Sequence, residues 1–180
     1  HSGSVQDRDG RRHLAAGQWG ALNVGVQRLC ELWLSRRNAN RLIAEGGREI
    51  GKGHFPILVA IHAGWLAAIA FAIPADAPVY WPVLASYLVV QAGRAWVVAT
   101  LGRHWTFKVI DTPAAALVRA GPYRWCRHPN YVVVVLEVAL LPLAFGAWEI
   151  AALFSVANGA VLGWRLRAEN ASIARRDGVS

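Results

Sequence analysis

Residues 121–131 read GPYRWCRHPNY, and residues 132–145 continue VVVVLEVALLPLAF. A basic, aromatic, proline-broken stretch thus abuts an apolar run that carries a carboxylate of its own, Glu137. Gly121–Pro122 marks a turn, and Pro129 breaks the chain again just ahead of the apolar run. His128 precedes that proline and is biased towards extended backbone. Asn130 is placed to cap a helix starting near Tyr131. The stretch reads as an ordered loop packed on a helix start, at the edge of an apolar segment.

The segment Tyr131–Trp148 has company. A membrane helix needs about 20 mostly apolar residues. Phe55–Ile73 and Val79–Leu101 meet that requirement, the second with Arg94 near one end. Glu149–Trp164 is shorter and polar in places. Leu14–Leu34 is interrupted by Gln18, Asn23, Gln27, Arg28 and Glu31. It reads as a span packed against other helices or as an amphipathic helix in the interface, and its length favours a span. Of the 180 residues, 55% are hydrophobic and 17% charged, against roughly 45–50% and ~25% in soluble domains. The nine tryptophans suit membrane–water boundaries. The sequence predicts an all-α, polytopic membrane bundle of about five transmembrane helices ending in a helical hairpin. Residues 1–13 form a polar N-terminal segment without the apolar core of a signal peptide, and 14–180 form one domain.

The net charge of +8 is not spread evenly. Arg36, Arg37, Arg41, Arg48 and Lys52 lie between the first two spans. Arg103, Lys108, Arg119, Arg124 and Arg127 lie between the third and fourth, and Arg165, Arg167, Arg175 and Arg176 follow the last. The linker PADAP and the turn near Gly146–Glu149 carry no Lys or Arg. This alternation places the basic loops and the C-terminus in the cytoplasm. Nucleic-acid binding needs a basic face on a soluble fold, so membrane topology explains the charge more simply and no nucleic-acid partner is expected. Cys30 and Cys126 show no metal or redox spacing, and no metal site is expected. The glycines of EGGREIGKGHFP lack a phosphate-loop pattern and read as a flexible loop.

Arg124, Arg127 and His128 supply donors near a helix start that favours anions, while Tyr123, Trp125 and Tyr131 supply flat faces. Together they suit a ligand with a carboxylate and an aromatic ring. The plainer reading is a juxtamembrane anchor, but two prolines and a glycine give more conformational control than an anchor needs. Ionisable groups inside spans are costly and usually functional; here they are Arg94 and Glu137, with His62 a further case. The plainer reading is that Arg94 and Glu137 pair structurally and that His62 is a hydrogen-bonded interior histidine.

GPYRWCRHPNY, the apolar hairpin after it and RLRAEN (165–170) resemble the isoprenylcysteine carboxyl methyltransferase family of integral membrane enzymes. The matching positions are Gly121, Pro122, Tyr123, Arg127, His128, Pro129 and Tyr131, then Arg165, Arg167 and Glu169. Gln91–Thr106 resembles the stretch leading into this region. The resemblance implies an all-helical membrane enzyme, of the compact bacterial branch, in the inner membrane. It further implies S-adenosylmethionine held on the cytoplasmic side by Tyr123, Arg127, His128, Pro129, Tyr131, Glu169 and Asn170. The acceptor would be lipophilic and would enter from the membrane lipids. Asn170 stands where a second acidic residue is common, and Val133 where a glycine often lies.

On this resemblance, methyl transfer is a displacement whose main demand is alignment. Aromatic faces stabilise a sulfonium, and Tyr123, Tyr131 and Trp125 are available. Glu169 suits the cofactor's ammonium; Arg127 and the helix start suit its carboxylate. Glu137, His128 and His104 are candidate bases, and Arg94 a candidate partner for an acceptor oxyanion. Arg94 and Glu137 are the expected catalytic pair. The acceptor is expected to be methylated at oxygen, as an isoprenylcysteine-like carboxylate or the hydroxyl of a polyketide-derived alkylpyrone or alkylresorcinol. Phospholipid amine methylation and a non-enzymatic bundle remain as alternatives.

Overall fold

A computed structural model describes residues 16–50, 53–111 and 119–177. Five long helices make up the fold: α1 (Ala16–Ala44), α2 (His54–Ala72), α3 (Trp81–Leu101), α4 (Pro129–Leu143) and α5 (Trp148–Asp177). Single 3-10 turns follow α3 (Gly102–His104) and precede α4 (Gly121–Arg124). A short antiparallel ribbon pairs β1 (Arg48–Ile50) with β2 (Val109–Asp111), Glu49 opposite Ile110. The stretch expected to be a flexible glycine loop therefore contributes a strand, because β2 lies alongside to take its hydrogen bonds.

Helix α2 has 19 residues, about 28 Å at 1.5 Å per residue, close to the ~30 Å of a bilayer core. Among the described residues, Phe55–Ala72 and Trp81–His104 are the two segments long and apolar enough to span. Only 11% and 17% of their residues are buried within the protein. A core helix of a soluble protein would be mostly buried; these present apolar side chains outward, as lipid-facing helices do. Helix α4, with 15 residues, is shorter than the expected run to Trp148. The cause is its end: Ala147 N–H bonds Pro142 O at 3.0 Å and Gly146 N–H bonds Leu143 O at 3.0 Å, with Gly146 at φ 72°. This is the paired 6→1 and 5→2 arrangement that stops a helix, and its left-handed residue is a glycine because a Cβ there is strained.

Helix α1 departs most from expectation. It runs ten residues past Leu34, so Arg36, Arg37 and Arg41 stand on a helix rather than in a loop. Arg28, Glu31, Ser35 and Asn38 are buried along one stripe, spaced three and four apart as one helical face requires. Trp19, Leu22, Val26, Leu29 and Trp33 point outward, each more than half exposed. Of the polar interruptions that weaken this span in the sequence, Arg28 and Glu31 lie on its buried face and Gln18 and Gln27 are half-buried, while Asn23 is exposed. Its lower end fastens the loop region: Asn38 Nδ2 donates to Trp105 O (2.8 Å) and Gly102 O (3.1 Å), and Ser35 Oγ accepts from Phe107 N–H (2.8 Å).

The helices pack α3 on α4, α4 on α5, α5 on α2 and α2 on α1. Trp65, Ile69, Tyr87, Val134, Val138, Leu141 and Leu162 fill the centre. Pro142 has no N–H to give the carbonyl four residues earlier, that of Val138. Fully buried Trp65 supplies the missing donor, its indole Nε1 lying 3.1 Å from Val138 O. At one end of the bundle the PADAP linker meets the α4–α5 turn, with Tyr80 N–H bonded to Ala144 O at 2.8 Å. Neither connection carries Lys or Arg. The ribbon and both 3-10 turns lie at the other end, where the basic linkers are.

Candidate active site

The opening loop is clamped to α3. Gly121 has φ 53°, and a Cβ there would come within 2.5 Å of Thr100 Oγ1 and 3.2 Å of Trp96 Nε1. Only glycine allows that approach. Trp125 then meets Trp96 edge to face, with ring centres 5.8 Å apart. The turn closes through Tyr123 N–H to Ala120 O (3.1 Å) and Trp125 N–H to Pro122 O (3.2 Å).

Helix α4 starts two residues earlier than expected for each role. His128 is the N-cap residue, with no side-chain cap bond, and buried Pro129 is the first helical residue, where its missing N–H costs nothing. Asn130 is therefore inside the helix rather than its cap. Its Oδ1 is buried with no hydrogen-bond partner among the described protein groups. His128 and Tyr131 stack almost parallel, 5.3 Å apart and 5° from coplanar. From α5, the Arg165 guanidinium lies over the Tyr131 ring at 5.5 Å. Tyr131 is thus held between a loop histidine and a cation on the last helix.

Asn130, Tyr131 and Arg165 line one side of a cavity of about 770 Å³ between α1, α2, α4 and α5. Such a volume suits a drug-sized or lipid-like molecule. Most of the remaining wall is aliphatic and aromatic, with Val26, Leu29 and Phe71 on its rim exposed outside the protein. Among the expected cofactor residues, the structure gathers His128, Pro129 and Tyr131. Tyr123 and Arg127 sit on the same loop but outside the cavity lining, Arg127 exposed. Glu169 and Asn170 are on α5, four and five residues after Arg165; their side chains lie outside the described residues. His104 is in the 3-10 turn after α3, away from the cavity lining.

Arg94 and Glu137 meet as a pair, Nη1 to Oε2 at 2.9 Å, each 1% exposed. They belong to a larger cluster whose other half comes from α1. Arg94 grips Glu31 through Nε and Nη2, both at 2.6 Å. Arg28 reaches Glu137 Oε2 at 2.6 Å and Glu31 Oε2 at 2.9 Å. Gln91 Nε2 donates to Glu137 Oε1 at 2.6 Å, and Gln27 Nε2 to Glu31 Oε1 at 3.0 Å. Two cations and two anions balance, and each carboxylate oxygen is bonded, which is the condition for tolerating buried charge. Neither Arg94 nor Glu137 lines the cavity; Arg28 does. Arg94 and Glu137, the expected catalytic pair, thus sit in a closed network of the kind the plainer reading described, to which α1 adds Arg28 and Glu31. Arg28, Glu31, Gln27 and Gln91 are the cluster residues to which the sequence gave no site role. The available signal was Arg28 and Glu31 three apart in a helix with Gln27, matched by Gln91 and Arg94 three apart in α3.

A family model described as the isoprenylcysteine carboxyl methyltransferase (ICMT) family matches residues 83–175. That stretch is more than half of the chain and takes in nearly all of α3, the clamped loop, α4 and nearly all of α5. The chain therefore belongs to the isoprenylcysteine carboxyl methyltransferase family, as the loop motif implied. The family and the two outward-facing apolar helices make it a membrane protein of methyltransferase type. It is also similar to a Bacillus subtilis (strain 168) protein described as uncharacterized protein YpbQ, 36% identical over 152 residues, 82% of this chain and 90% of that one. No solved structure matches.

Proposed function

We propose that this protein transfers the methyl group of S-adenosylmethionine to an oxygen atom of a lipophilic acceptor, at the cytoplasmic face of a bacterial inner membrane. In this reading all five helices cross the bilayer. The outward-facing apolar side of α1 supports that count, and the charge-poor end of the bundle faces away from the cytoplasm.

The observation that carries the proposal is the Tyr131 cluster. A ring held between His128 and Arg165 stands at the wall of an apolar cavity, in a chain of a methyltransferase family. The described residues fit the cofactor's parts. Tyr131 offers a face for a sulfonium, Arg165 a cation for a carboxylate, and the buried Asn130 Oδ1 an unused acceptor for an amino group. Glu169, one turn beyond Arg165, adds a carboxylate for the ammonium. When bound, the cofactor supplies an electrophilic methyl on sulfur and needs no metal. The protein's part is to hold acceptor and cofactor in line and to keep water out, which alone lowers such a barrier by several kcal/mol, of the ~7–11 available from orientation. Arg94 and Glu137 act here as positioning residues, holding the Arg28 guanidinium at the cavity wall.

Calorimetric titration of the purified protein with S-adenosylhomocysteine tests the reading. Binding is expected in the wild type. His128→Ala and Glu169→Gln are each expected to weaken it at least about tenfold, as loss of a charge-assisted contact does, with the unfolding temperature unchanged. Absence of binding in the wild type would refute the proposal; wild-type binding in either variant removes that residue from the site.

A further inference from the structure

The loop that carries His128 and Tyr131 has a second face. Trp125 and Arg124, which the sequence suggests for a ligand, do not line the cavity. Trp125 lies against α3 instead. It is 73% exposed, and Trp96, its edge-to-face partner, is 48% exposed. The Arg124 guanidinium stands over the Trp125 ring, 5.8 Å from its centre. Arg124 is itself exposed, as are Arg119 and Arg127 on either side of it. A pair that served only to pack the loop on α3 would bury its rings. Two indoles left this open in water forfeit much of their apolar contact. At a membrane–water boundary the same exposure is favourable.

The pair also continues a stripe on α3. Trp81, Ala85, Leu88, Ala92 and Trp96 are all exposed and recur three and four apart, on one helical face. The stripe is apolar throughout and has an indole at each end. Trp81 is at the charge-poor end, next to the Tyr80–Ala144 bond, and Trp96 is towards the basic end. Trp125 and Arg124 extend this face into the basic loop. A guanidinium stacked on an indole keeps its N–H edge for a phosphate. The loop behind the indoles is one unit: Trp125 N–H and Cys126 N–H both bond Pro122 O at 3.2 Å, and Gly121 sits against Thr100 and Trp96. His128 follows two residues after Cys126 and stacks on Tyr131. A displacement of Trp125 is therefore carried into the candidate site.

We infer that the Trp96–Trp125–Arg124 face docks on the phosphate headgroups of anionic phospholipids in the adjoining leaflet, and that this seating positions His128 and Tyr131 to hold the cofactor. The second half rests on the methyltransferase reading; the lipid contact does not. The loop then has two partners, lipid on the α3 side and ligand on the cavity side. Lipid contact favours cofactor binding only by as much as it favours the seated loop, about fivefold for one arginine at an anionic surface.

The test compares S-adenosylhomocysteine affinity in phosphatidylglycerol nanodiscs, phosphatidylcholine nanodiscs and maltoside micelles, which carry no phosphate. The wild type is expected to bind about fivefold more tightly in phosphatidylglycerol than in phosphatidylcholine, and most weakly in maltoside. Arg124→Gln and Trp125→Ala are each expected to bind equally in all three, at the wild type's maltoside affinity. Wild-type affinity that ignores the headgroup overturns the inference, as does lipid dependence undiminished in either variant. An equal loss in all three media would make Trp125 a packing residue and overturn it too. A second readout needs no cofactor. A bimane on Trp125→Cys, with Cys30 and Cys126 replaced by serine, should be quenched by lipids doxyl-labelled near the headgroup and shielded from aqueous iodide. The reverse pattern overturns the lipid contact. Wild-type protein that binds no S-adenosylhomocysteine in any medium would instead refute the methyltransferase reading, while the quenching still decides whether this face meets lipid.

Discussion

Two groups of charged and polar side chains occupy this bundle, and they differ in how completely the protein uses them. In the cluster between α1, α3 and α4, four charges and two glutamines bond one another, and the carboxylates keep no free oxygen. At the loop end, His128, Tyr131 and Arg165 meet through ring faces, and Asn130 Oδ1 has no hydrogen-bond partner among the described protein groups. A network closed on itself fastens helices together. A buried acceptor at a cavity wall without a partner among the described protein groups is built for something else to complete. Arg28 is bonded at its terminal nitrogens within the cluster, while its side chain also lines the cavity.

Breaking the cluster should have the largest effect. Arg94→Leu or Glu137→Leu leaves an uncompensated charge in the interior and is expected to cost about 3–5 kcal/mol. Removing one charge of each sign, as in Arg94→Leu with Glu137→Gln, leaves Arg28 and Glu31 balanced and should recover most of the loss. Thermal unfolding in detergent measures this. Single variants as stable as the wild type would show that the cluster is not the fastening described here.

The Trp65–Val138 bond sharpens the same comparison with a smaller change. Trp65→Phe removes the indole donor to the Val138 carbonyl and should cost about 1–3 kcal/mol, the penalty of an unsatisfied buried group. Pro142→Ala restores a backbone N–H four residues on. It is expected to cost less in the Trp65→Phe background than alone, and additive effects in that double-mutant cycle would contradict the exchange of donors.

At the loop end, stability and binding should separate. Gly121→Ala forces a non-glycine residue to φ 53° and pushes Thr100 off its 2.8 Å bond to Trp96 O. The expected loss is about 1–2 kcal/mol, with a larger proportional loss of S-adenosylhomocysteine affinity because His128 and Tyr131 follow in the same loop. Thr100→Ala should relieve the clash but not the backbone strain. Unchanged affinity in Gly121→Ala would mean that the loop's clamp on α3 does not position the site.

The parts legible in the sequence were those that interact with solvent or lipid, or that are fixed by local covalent chemistry. Phe55–Ala72 and the third helix were readable because their apolar residues face outward along most of each length. The 121–131 loop was readable because Gly121, Pro122 and Pro129 restrict the backbone whatever surrounds them. Helix α1 was not readable in the same way. Arg28, Glu31, Ser35 and Asn38 face inward while Trp19, Leu22, Val26, Leu29 and Trp33 face outward, so hydropathy averaged along the chain cancels. The early stop of α4 was hidden because one left-handed glycine, not composition, ends it.

By itself, then, the sequence determined that the protein is a helical membrane bundle with its charge at one end, and it marked the His128–Tyr131 loop and the buried charges of Arg94 and Glu137. Each of these follows from residue chemistry over a few consecutive turns. Tertiary structure decided the partners. Glu31 is 63 residues from Arg94 and Arg28 is 109 from Glu137, and Arg165 comes from another helix to reach Tyr131. Such pairings form because a buried charge or polar group must find its complement wherever the folded chain brings one, and nothing in the local spacing of the sequence specifies which.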